Sequence, residues 1–492
     1  MVASPPVVES SSRLGLLRRS PSFGYLFLAT AGSSFGTYLA AVALTVSVYD
    51  ATGEGTWVAA LLIADFLPIV LVGLLLGPLV DRLSRRRLMI GSDLVRCGVF
   101  AALPFVHTPG AIVALAGVSG VATGFFHPAA NAGLPNLVRD EDLTNANSLL
   151  QTAETLALMV GPVLAGLMLT VWPPSVPYAL NAVTFLVSAV LVARIPASKL
   201  QSDDSVTNGH WRDVADGIRL VVTSRPLRTV LVVWNVVVIG SAFVNVAEVI
   251  FAKSDLDAGN VGFGILVAAS GVGLAFGSFL AAPALGKVGL RRHYVGSIAL
   301  MGVGWGAAAL SHSIWLAVPF VIGGAAGNGA ASVCNRLLVQ RGAPDQYRGR
   351  ALATIMSSNY AVVGLGMAAA GVLVDRYGAR TIWVAAGAIF LFGALVALVM
   401  TRWLPIRSED ERAAIEESAE SAVAALVHTN GNGHLPAQPV ASPELGSAAV
   451  VPADTGLERI ARLFEEIEER RAREARTQSE DLRKRTLARE SP

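Results

Sequence analysis

Apolar stretches long enough to cross a membrane recur along most of this 492-residue chain. An α-helix needs about 20 mainly apolar residues to cross the hydrocarbon core of a bilayer. Six such stretches precede residue 198 and six follow residue 226. Helices satisfy their own backbone polar groups inside a bilayer, where irregular chain cannot. The sequence therefore predicts an all-α membrane protein with twelve transmembrane helices. The predicted spans cover residues 23–48, 56–80, 88–106, 109–131, 148–170, 177–197, 227–250, 259–285, 290–310, 313–335, 350–374 and 381–403.

Composition excludes several other classes of protein. Charged residues make up 15% of the chain, whereas soluble proteins carry about 25%. The 38 basic residues nearly balance the 36 acidic ones, so no nucleic-acid partner is expected. The two cysteines lie in apolar stretches and the seven histidines lack metal-ligand spacing, so we expect no disulfide, metal or cofactor. No Walker lysine motif is present, and we predict neither ATP use nor enzyme activity.

Hydrophilic segments divide the chain into five predicted parts. These are an amino-terminal segment (1–22), a six-helix bundle (23–197), a central loop (198–226), a second six-helix bundle (227–403) and a tail (404–492). In the central loop, Trp211, Val214, Ile218 and Val221 recur at helical spacing, which predicts an amphipathic helix on the membrane surface.

The tail combines a flexible linker with a charged amphipathic helix in this prediction. Residues 428–456 are rich in Ala, Pro, Gly and His. Apolar residues then share one helical face, and they are Leu457, Ile460, Leu463, Phe464 and Ile467. Either this helix is solvated, or it docks on a cytoplasmic partner or on the inner leaflet.

Basic residues are distributed unevenly between the predicted loops. With the amino terminus inside, the inner segments up to residue 400 contain 21 Lys and Arg residues. The outer segments contain three, Lys253, Arg376 and Arg380. The positive-inside rule therefore places both termini in the cytoplasm of a multi-pass protein of the cell's inner (plasma) membrane.

The two predicted bundles align at an offset of 205 residues. The offset maps Pro78 to Pro283, Arg86 to Arg291, Arg87 to Arg292, Asp140 to Asp345, Gly161 to Gly366 and Gly166 to Gly371. Duplicated six-span halves are a recurring transporter architecture in which the substrate binds between the halves, near the bilayer midplane.

The link between the second and third spans carries the most specific motif. It contains Gly77, Asp81, Arg82, Arg85 and Arg86. This segment resembles the loop signature of the major facilitator superfamily, G-x-x-x-D-R-x-G-R-[KR], with Ser84 where a glycine is usual.

The resemblance implies a latch on the inner side. Asp81 would lie beside the start of span eleven, near Gly349, because a carboxylate is favourable at a helix amino terminus. The three arginines would pair nearby. The matching loop of the second half has Gly286 in place of the acid, so the latch is expected on one side only. In the alternative interpretation, the arginines only anchor the topology.

A second motif lies in the fifth span, where Gly161, Pro162 and Gly166 resemble the G-P-x-x-G-G motif of antiporters in this superfamily. Ala165 replaces one glycine, and the charge-free run 115–124 lacks the arginine motif of many drug antiporters. Residues 135–138 and 143–148, with Arg348-Gly349-Arg350, resemble the branch of siderophore exporters and of macrolide or multidrug efflux proteins.

Acidic residues within spans are costly and usually face a cavity or a partner. Asp65 is predicted slightly outward of the midplane, and Glu154 about 9 Å from the inner face at 1.5 Å per residue. We expect both to be proton-coupling candidates acting as separate stations; in the alternative, neighbouring hydroxyls satisfy them. Asp93 and Arg96 are one turn apart and predict a local ion pair, and Glu248 is expected at the outer interface.

Aromatic and amide side chains supply the candidates for a substrate cavity, since amphiphilic ligands need aromatic surface and a few polar groups. They are Tyr38, Asn181, Trp234, Asn235, Asn359 and Tyr360, and in the alternative interpretation each of them packs helices together instead. The leading hypothesis is a monomeric, proton-coupled exporter of a small amphiphilic compound such as a drug, siderophore or secondary metabolite. The rivals are an importer or lipid transporter on the same fold, and a non-transporting scaffold or sensor acting through its tail.

Overall fold

The computed structural model of the protein describes residues 13–75, 83–200, 210–343 and 347–402. Those ranges contain fourteen α-helices and no strand. In chain order they are α1 (Arg13–Arg19), α2 (Pro21–Thr52), α3 (Gly55–Leu75), α4 (Arg85–Ala102), α5 (Pro109–Gly133), α6 (Leu143–Val171), α7 (Ser175–Ala193), α8 (His210–Thr223), α9 (Arg225–Ile250), α10 (Gly259–Val288), α11 (Leu290–Ala309), α12 (Ile314–Gly342), α13 (Arg348–Tyr377) and α14 (Ala379–Thr401).

Eleven helices in the described ranges are long and apolar enough to cross a membrane, which confirms an all-α membrane protein. The helix at the position of the ninth predicted span, α11, is not among them. It is 20 residues long but begins with Arg291, Arg292 and His293, which shorten its apolar part. The twelfth crossing therefore stays a prediction.

The two halves of the chain pack their helices in the same pattern. In the first half the contacting pairs are α2–α6, α2–α7, α4–α7, α4–α5 and α3–α5. The second half repeats them as α9–α13, α9–α14, α11–α14, α11–α12 and α10–α12. Two further contacts, α3–α13 and α6–α10, join the halves. The same matching of helices between the halves converts each of these contacts into the other. The helices thus form two equivalent bundles related by a pseudo-twofold axis, as the repeat at 205 residues predicts.

One hydrogen bond lies on this axis. The Tyr49 hydroxyl, near the end of α2, bonds to Ser254 Oγ at 2.8 Å. These residues are 205 positions apart, so each is the counterpart of the other in the repeat. Ser254 belongs to a π-helical turn, Phe251–Asp255, that continues α9.

The ends of the bundles define two faces. We call the face where α4, α6, α11 and α13 begin the basic face, because it carries Arg85, Arg139, Arg291 and Arg348. The other is the opposite face. The predicted helix of the central loop is present as α8, and it packs against α13 and α9. Val221 is buried there, while the side chains of Trp211 and Val214 lie outside the described ones, as does the whole predicted tail.

The cores of the two bundles differ. The second bundle has one continuous apolar cluster, in which Trp383 stacks on Phe251 at 4.2 Å and meets Trp305 edge-on at 5.2 Å. The first bundle has two clusters, one containing Phe126 toward the basic face and one containing Phe185 toward the opposite face. Polar side chains, among them Asp93 and Arg96, lie between these two clusters.

Candidate functional site

A polar cavity of about 240 Å³ lies in the basic-face half of the first bundle. Three helices form its wall, α2 near its start, α5 near its end and α6 near its start. The polar lining residues are Thr30, Ser34, His127, Asn131, Asn147, Gln151 and Glu154. Leu26, Phe126, Ala130 and Leu150 supply the apolar part. The cavity can therefore offer hydrogen bonds, a carboxylate and aromatic surface to one small ligand.

Behind this cavity lies a buried ion pair. Arg96 Nη2 and Asp93 Oδ1 of α4 are 2.6 Å apart, and their residues are 4% and 0% exposed. Ser188 Oγ donates to the second carboxylate oxygen at 2.7 Å. The predicted local pair is present. Because Ser188 lies on α7, the ion pair also connects α4 to α7. The spacing of residues on α4 does not indicate this connection.

The Arg96 guanidinium also joins the two apolar clusters of the first bundle. Its carbon lies 4.6 Å from the ring centre of Phe126 and 4.3 Å from that of Phe185. A cation against aromatic faces is stabilised by the ring quadrupole, most strongly when desolvated. Arg96 is thereby held rigidly between α5 and α7.

Electrostatic interactions link Arg96 to Asp65, one of the two predicted proton-coupling candidates, and to His127 at the cavity. Arg96 interacts with Asp65 of α3 and with His127, whose neighbour Phe126 also lines the cavity. Glu154 lines the same cavity as His127 and interacts with Tyr38 of α2. Asp65, Arg96 and His127 thus form one electrostatically linked set, the polar chain, whose end at His127 shares the cavity with Glu154. Whether Asp65 and Glu154 act as separate stations stays a prediction. His127 is not among the predicted residues, although a histidine within a predicted span is itself a functional signal.

The helix that carries Glu154 begins earlier than the predicted fifth span. α6 begins at Leu143, five residues before that start. Glu154 lies about 16 Å along the helix from Leu143, at 1.5 Å per residue, and its depth from the inner face stays a prediction. The helix is longer than the predicted span because the polar residues Thr144–Ser148 are also helical.

The six predicted substrate-cavity residues do not line this cavity in the described part of the chain. Asn181 and Asn359 are 0% and 3% exposed, so a ligand does not reach them in this conformation, and their role as lining residues stays a prediction. Asn181 packs against Gly36, where α7 crosses α2. Among the described residues, Asn181 Nδ2 and Asn359 Oδ1 have no hydrogen-bond partner.

The remaining candidates on the second bundle lie at contacts between helices. Asn235 Nδ2 donates to Ser358 Oγ at 2.9 Å, which joins α9 to α13. The Tyr360 ring meets Phe66 of α3 edge-on at 5.1 Å, across the two halves. Trp234 is partly buried against the core of the second bundle.

Only part of the predicted gating loop lies in the described ranges. Gly77, Asp81 and Arg82 are outside them. Arg85 Nη1 donates to the carbonyls of Ala132 and Leu200 at 3.0 and 2.9 Å, and Arg86 donates to the carbonyl of Ala193. Ala132 and Ala193 end α5 and α7, so these arginines satisfy carbonyls at helix carboxyl termini, where a positive charge is favourable.

The antiporter-like motif packs α6 closely against helices on two sides. A Cβ on Gly161 would lie 3.0 Å from Tyr38 Cβ, and one on Gly166 would lie 2.7 Å from the carbonyl oxygen of Asn260. A Cβ on Gly264 of α10 would lie only 2.3 Å from the carbonyl oxygen of Pro162. The motif thus belongs to the contact between the bundles.

Glu248 does not lie at an interface as the sequence suggested. It is 7% exposed, and among the described residues its Oε1 has no hydrogen-bond partner. The π-helical turn after α9 prolongs this helix by five residues, which leaves Glu248 inside the bundle.

Comparison with known proteins agrees with this architecture. The family described as transmembrane secretion effector matches residues 12–434. A putative bacilysin exporter of Bacillus subtilis is 29% identical over 380 residues, covering 74% of this chain and 90% of the relative. The macrolide efflux protein A of Streptococcus pyogenes is 26% identical over 198 residues, covering 39% of this chain and 49% of that protein.

Solved structures share the fold. The nucleoside transporter NupG superposes with a TM-score of 0.63 at 15% identity, covering 77% of this chain and 100% of that one. A bacterial homologue of the iron transporter ferroportin, in an inward-facing state, gives a TM-score of 0.64 at 15% identity, with 77% and 98% coverage. The protein is a membrane transporter and not an enzyme, and the chain belongs to the transmembrane secretion effector family of the major facilitator superfamily.

Proposed function

We propose that the protein exports a small amphiphilic compound in exchange for protons, with the basic face and both termini in the cytoplasm. The observation that carries the proposal is the polar cavity with Glu154 in the basic-face half of the first bundle. Efflux is also the activity named for the relatives from Bacillus and Streptococcus.

The contact between the bundles supports the same direction. In the described part of the chain, close contacts of α3 with α13 and of α6 with α10 run from the opposite face to about the helix midpoints. A cavity at the basic face together with a closed opposite face is the conformation expected of an exporter before it binds a substrate from the cytoplasm. Rocking the bundles about the pseudo-twofold axis would then expose the cavity to the other side.

The polar chain supplies a route for coupling. Glu154 is the proton or cation site in this proposal, because its carboxylate lies on the cavity and Tyr38 is within electrostatic range. Arg96 is fixed by Asp93 and by two rings, so its charge acts on Asp65 and His127 from one position. Binding of substrate and proton to linked groups is what an exchanger requires.

Everted membrane vesicles test direction and coupling together. A macrolide and a fluorescent lipophilic cation serve as the probes. With an acidic lumen, we expect a probe to accumulate inside the vesicles and to leave when a protonophore is added. Accumulation that requires the opposite gradient would overturn the export proposal in favour of import. If neither probe nor the cell's exported metabolites respond to deletion of the gene, the scaffold alternative is favoured.

We expect Glu154→Gln to remove gradient-driven accumulation and to leave probe exchange without a gradient intact. The amide keeps the shape of the side chain but cannot bind and release a proton at these pH values. Glu141→Gln is the matched control, because Glu141 lies on the basic face, is 65% exposed and pairs with Arg139 outside the cavity. Gradient-driven accumulation by Glu154→Gln equal to that of the control would contradict the role given to Glu154.

A further inference from the structure

The loop signature of the first half occurs a second time, at the opposite face. From Gly371 the chain reads G-V-L-V-D-R-Y-G-A-R, which repeats the spacing Gly, Asp, Arg, Gly and Arg of G-x-x-x-D-R-x-G-R-[KR]. Here the segment ends α13 and begins α14. We propose that Asp375 is a gating residue that holds the opposite face closed, which the proposed topology makes the outer gate.

Asp375 caps a helix of the other bundle. Its Oδ2 accepts hydrogen bonds from the Thr56 backbone N–H at 2.9 Å and from Thr56 Oγ1 at 2.5 Å. Its Oδ1 accepts from the Gly55 N–H. Gly55 and Thr56 begin α3, where helix N–H groups have no partner within the helix. The carboxylate therefore satisfies these donors and meets the positive end of the helix dipole.

Glycines allow the approach that this contact needs. A Cβ on Gly371 would lie 2.7 Å from Ala59 Cβ and 3.0 Å from Thr56 Cα. A Cβ on Gly55 would lie 2.0 Å from Val374 Cγ1. Gly371, the first glycine of the repeated motif, is thus needed for close packing, independently of the charge on Asp375.

The glycine of the motif at the opposite face shares its backbone conformation with Gly289 of the second half, but not with Ser84 of the first-half motif. Gly378, the residue before α14, has φ +81° and ψ 156°. Gly289, which is 205 positions after Ser84, has nearly the same backbone, with φ +79° and ψ 151°. Ser84 has φ −63°, so its link takes a different turn that does not require glycine.

The arginines at the end of the two motifs make equivalent bonds. Arg380 donates to the carbonyls of Ala309 and Ser311 at 2.7 and 2.8 Å, at the end of α11. Arg86 donates to the carbonyl of Ala193, which ends α7. Each arginine thus ties the helix that follows its motif to the end of a neighbouring helix in the same bundle. This leaves Asp375 as the charged motif member that crosses between the bundles at this face.

Opening of the opposite face requires the start of α3 to leave the end of α13. The bonds of Asp375 exist only in the closed state, so they act on the equilibrium between the two states. A carboxylate at an exposed helix terminus changes such an equilibrium on the order of fivefold or less. The proposal rests on alternating access, but on no particular substrate.

The test measures the distance across the opposite face in the full-length protein. Spin labels are placed at His107 and His312, which are exposed in loops of different bundles, after Cys97→Ala and Cys334→Ala remove the native thiols. We expect Asp375→Asn to lower the ratio of short to long distances on the order of fivefold. High salt should reduce the difference from wild type, since exposed charges are screened.

Asp257→Asn is the matched control, because it removes an acid from the same face and its left-handed φ of +47° is tolerated by asparagine. Its distances should equal those of wild type. Gly371→Ala, which inserts a methyl group at the contact, is a second variant that should also populate the long distance. A wild-type distance distribution in folded Asp375→Asn would overturn the proposal, whatever the result for Gly371→Ala. Because no substrate is used, this result is separate from any failure of the export assay.

Discussion

Replacement of Arg96 by leucine is expected to lower the free energy of unfolding by about 3–5 kcal/mol, because the buried Asp93 carboxylate loses its counter-ion. Asp93 is 0% exposed, and Ser188 would be its remaining side-chain partner among the described residues. Loss of the two ring contacts adds to the effect. The measurement is denaturant unfolding of the purified protein in micelles, followed by tryptophan fluorescence.

Two further variants give this experiment its controls. The double variant Asp93→Leu, Arg96→Leu should recover most of the lost stability, since an apolar pair of similar volume can replace a buried ion pair. Arg139→Leu removes an arginine that is 67% exposed and should change stability by about 0–1 kcal/mol. Equal destabilisation by the single and double variants would show that loss of the ion pair does not cause the fall in the free energy of unfolding.

Gly264→Val is expected to prevent α10 from closing on α6. A Cβ at this position would lie 2.3 Å from the carbonyl oxygen of Pro162, a backbone atom that cannot turn away. Overpacking of this kind costs about 1–3 kcal/mol, which lowers the closed-to-open ratio by about 5- to 150-fold. The distance between labels at His107 and His312 measures that ratio, and the export assay should show a parallel loss.

The control is Gly296→Val on α11, where an added Cβ would have no atom within 4 Å. It introduces the same side chain into a helix without affecting the contact between bundles. A distance distribution in Gly264→Val that matches this control would show that the opposite face still closes, which would contradict the prediction.

Several features of the site were accessible from the sequence, although their partners were not. The pair Asp93 and Arg96 follows from helical spacing on α4, and both residues were identified. Ser188, Phe126 and Phe185 come from other helices, and nothing in their local sequence indicates a shared partner. The motif around Asp375 was also readable, since its spacing repeats that of Gly77 and Asp81. The position of Asp375 between the bundles could not be read from the sequence.

What the sequence determined by itself is the all-α membrane fold and its duplication. Both follow from local properties, the length of each apolar run and the need of a backbone in lipid to bond within its own helix. The tertiary structure decided which polar side chains meet, such as His127 with Glu154 at one cavity and Asp375 with Thr56 at one gate. Helices that are apolar on all sides carry no stripe to set their rotation, so close packing at glycines such as Gly264 and Gly371 determines which faces come together.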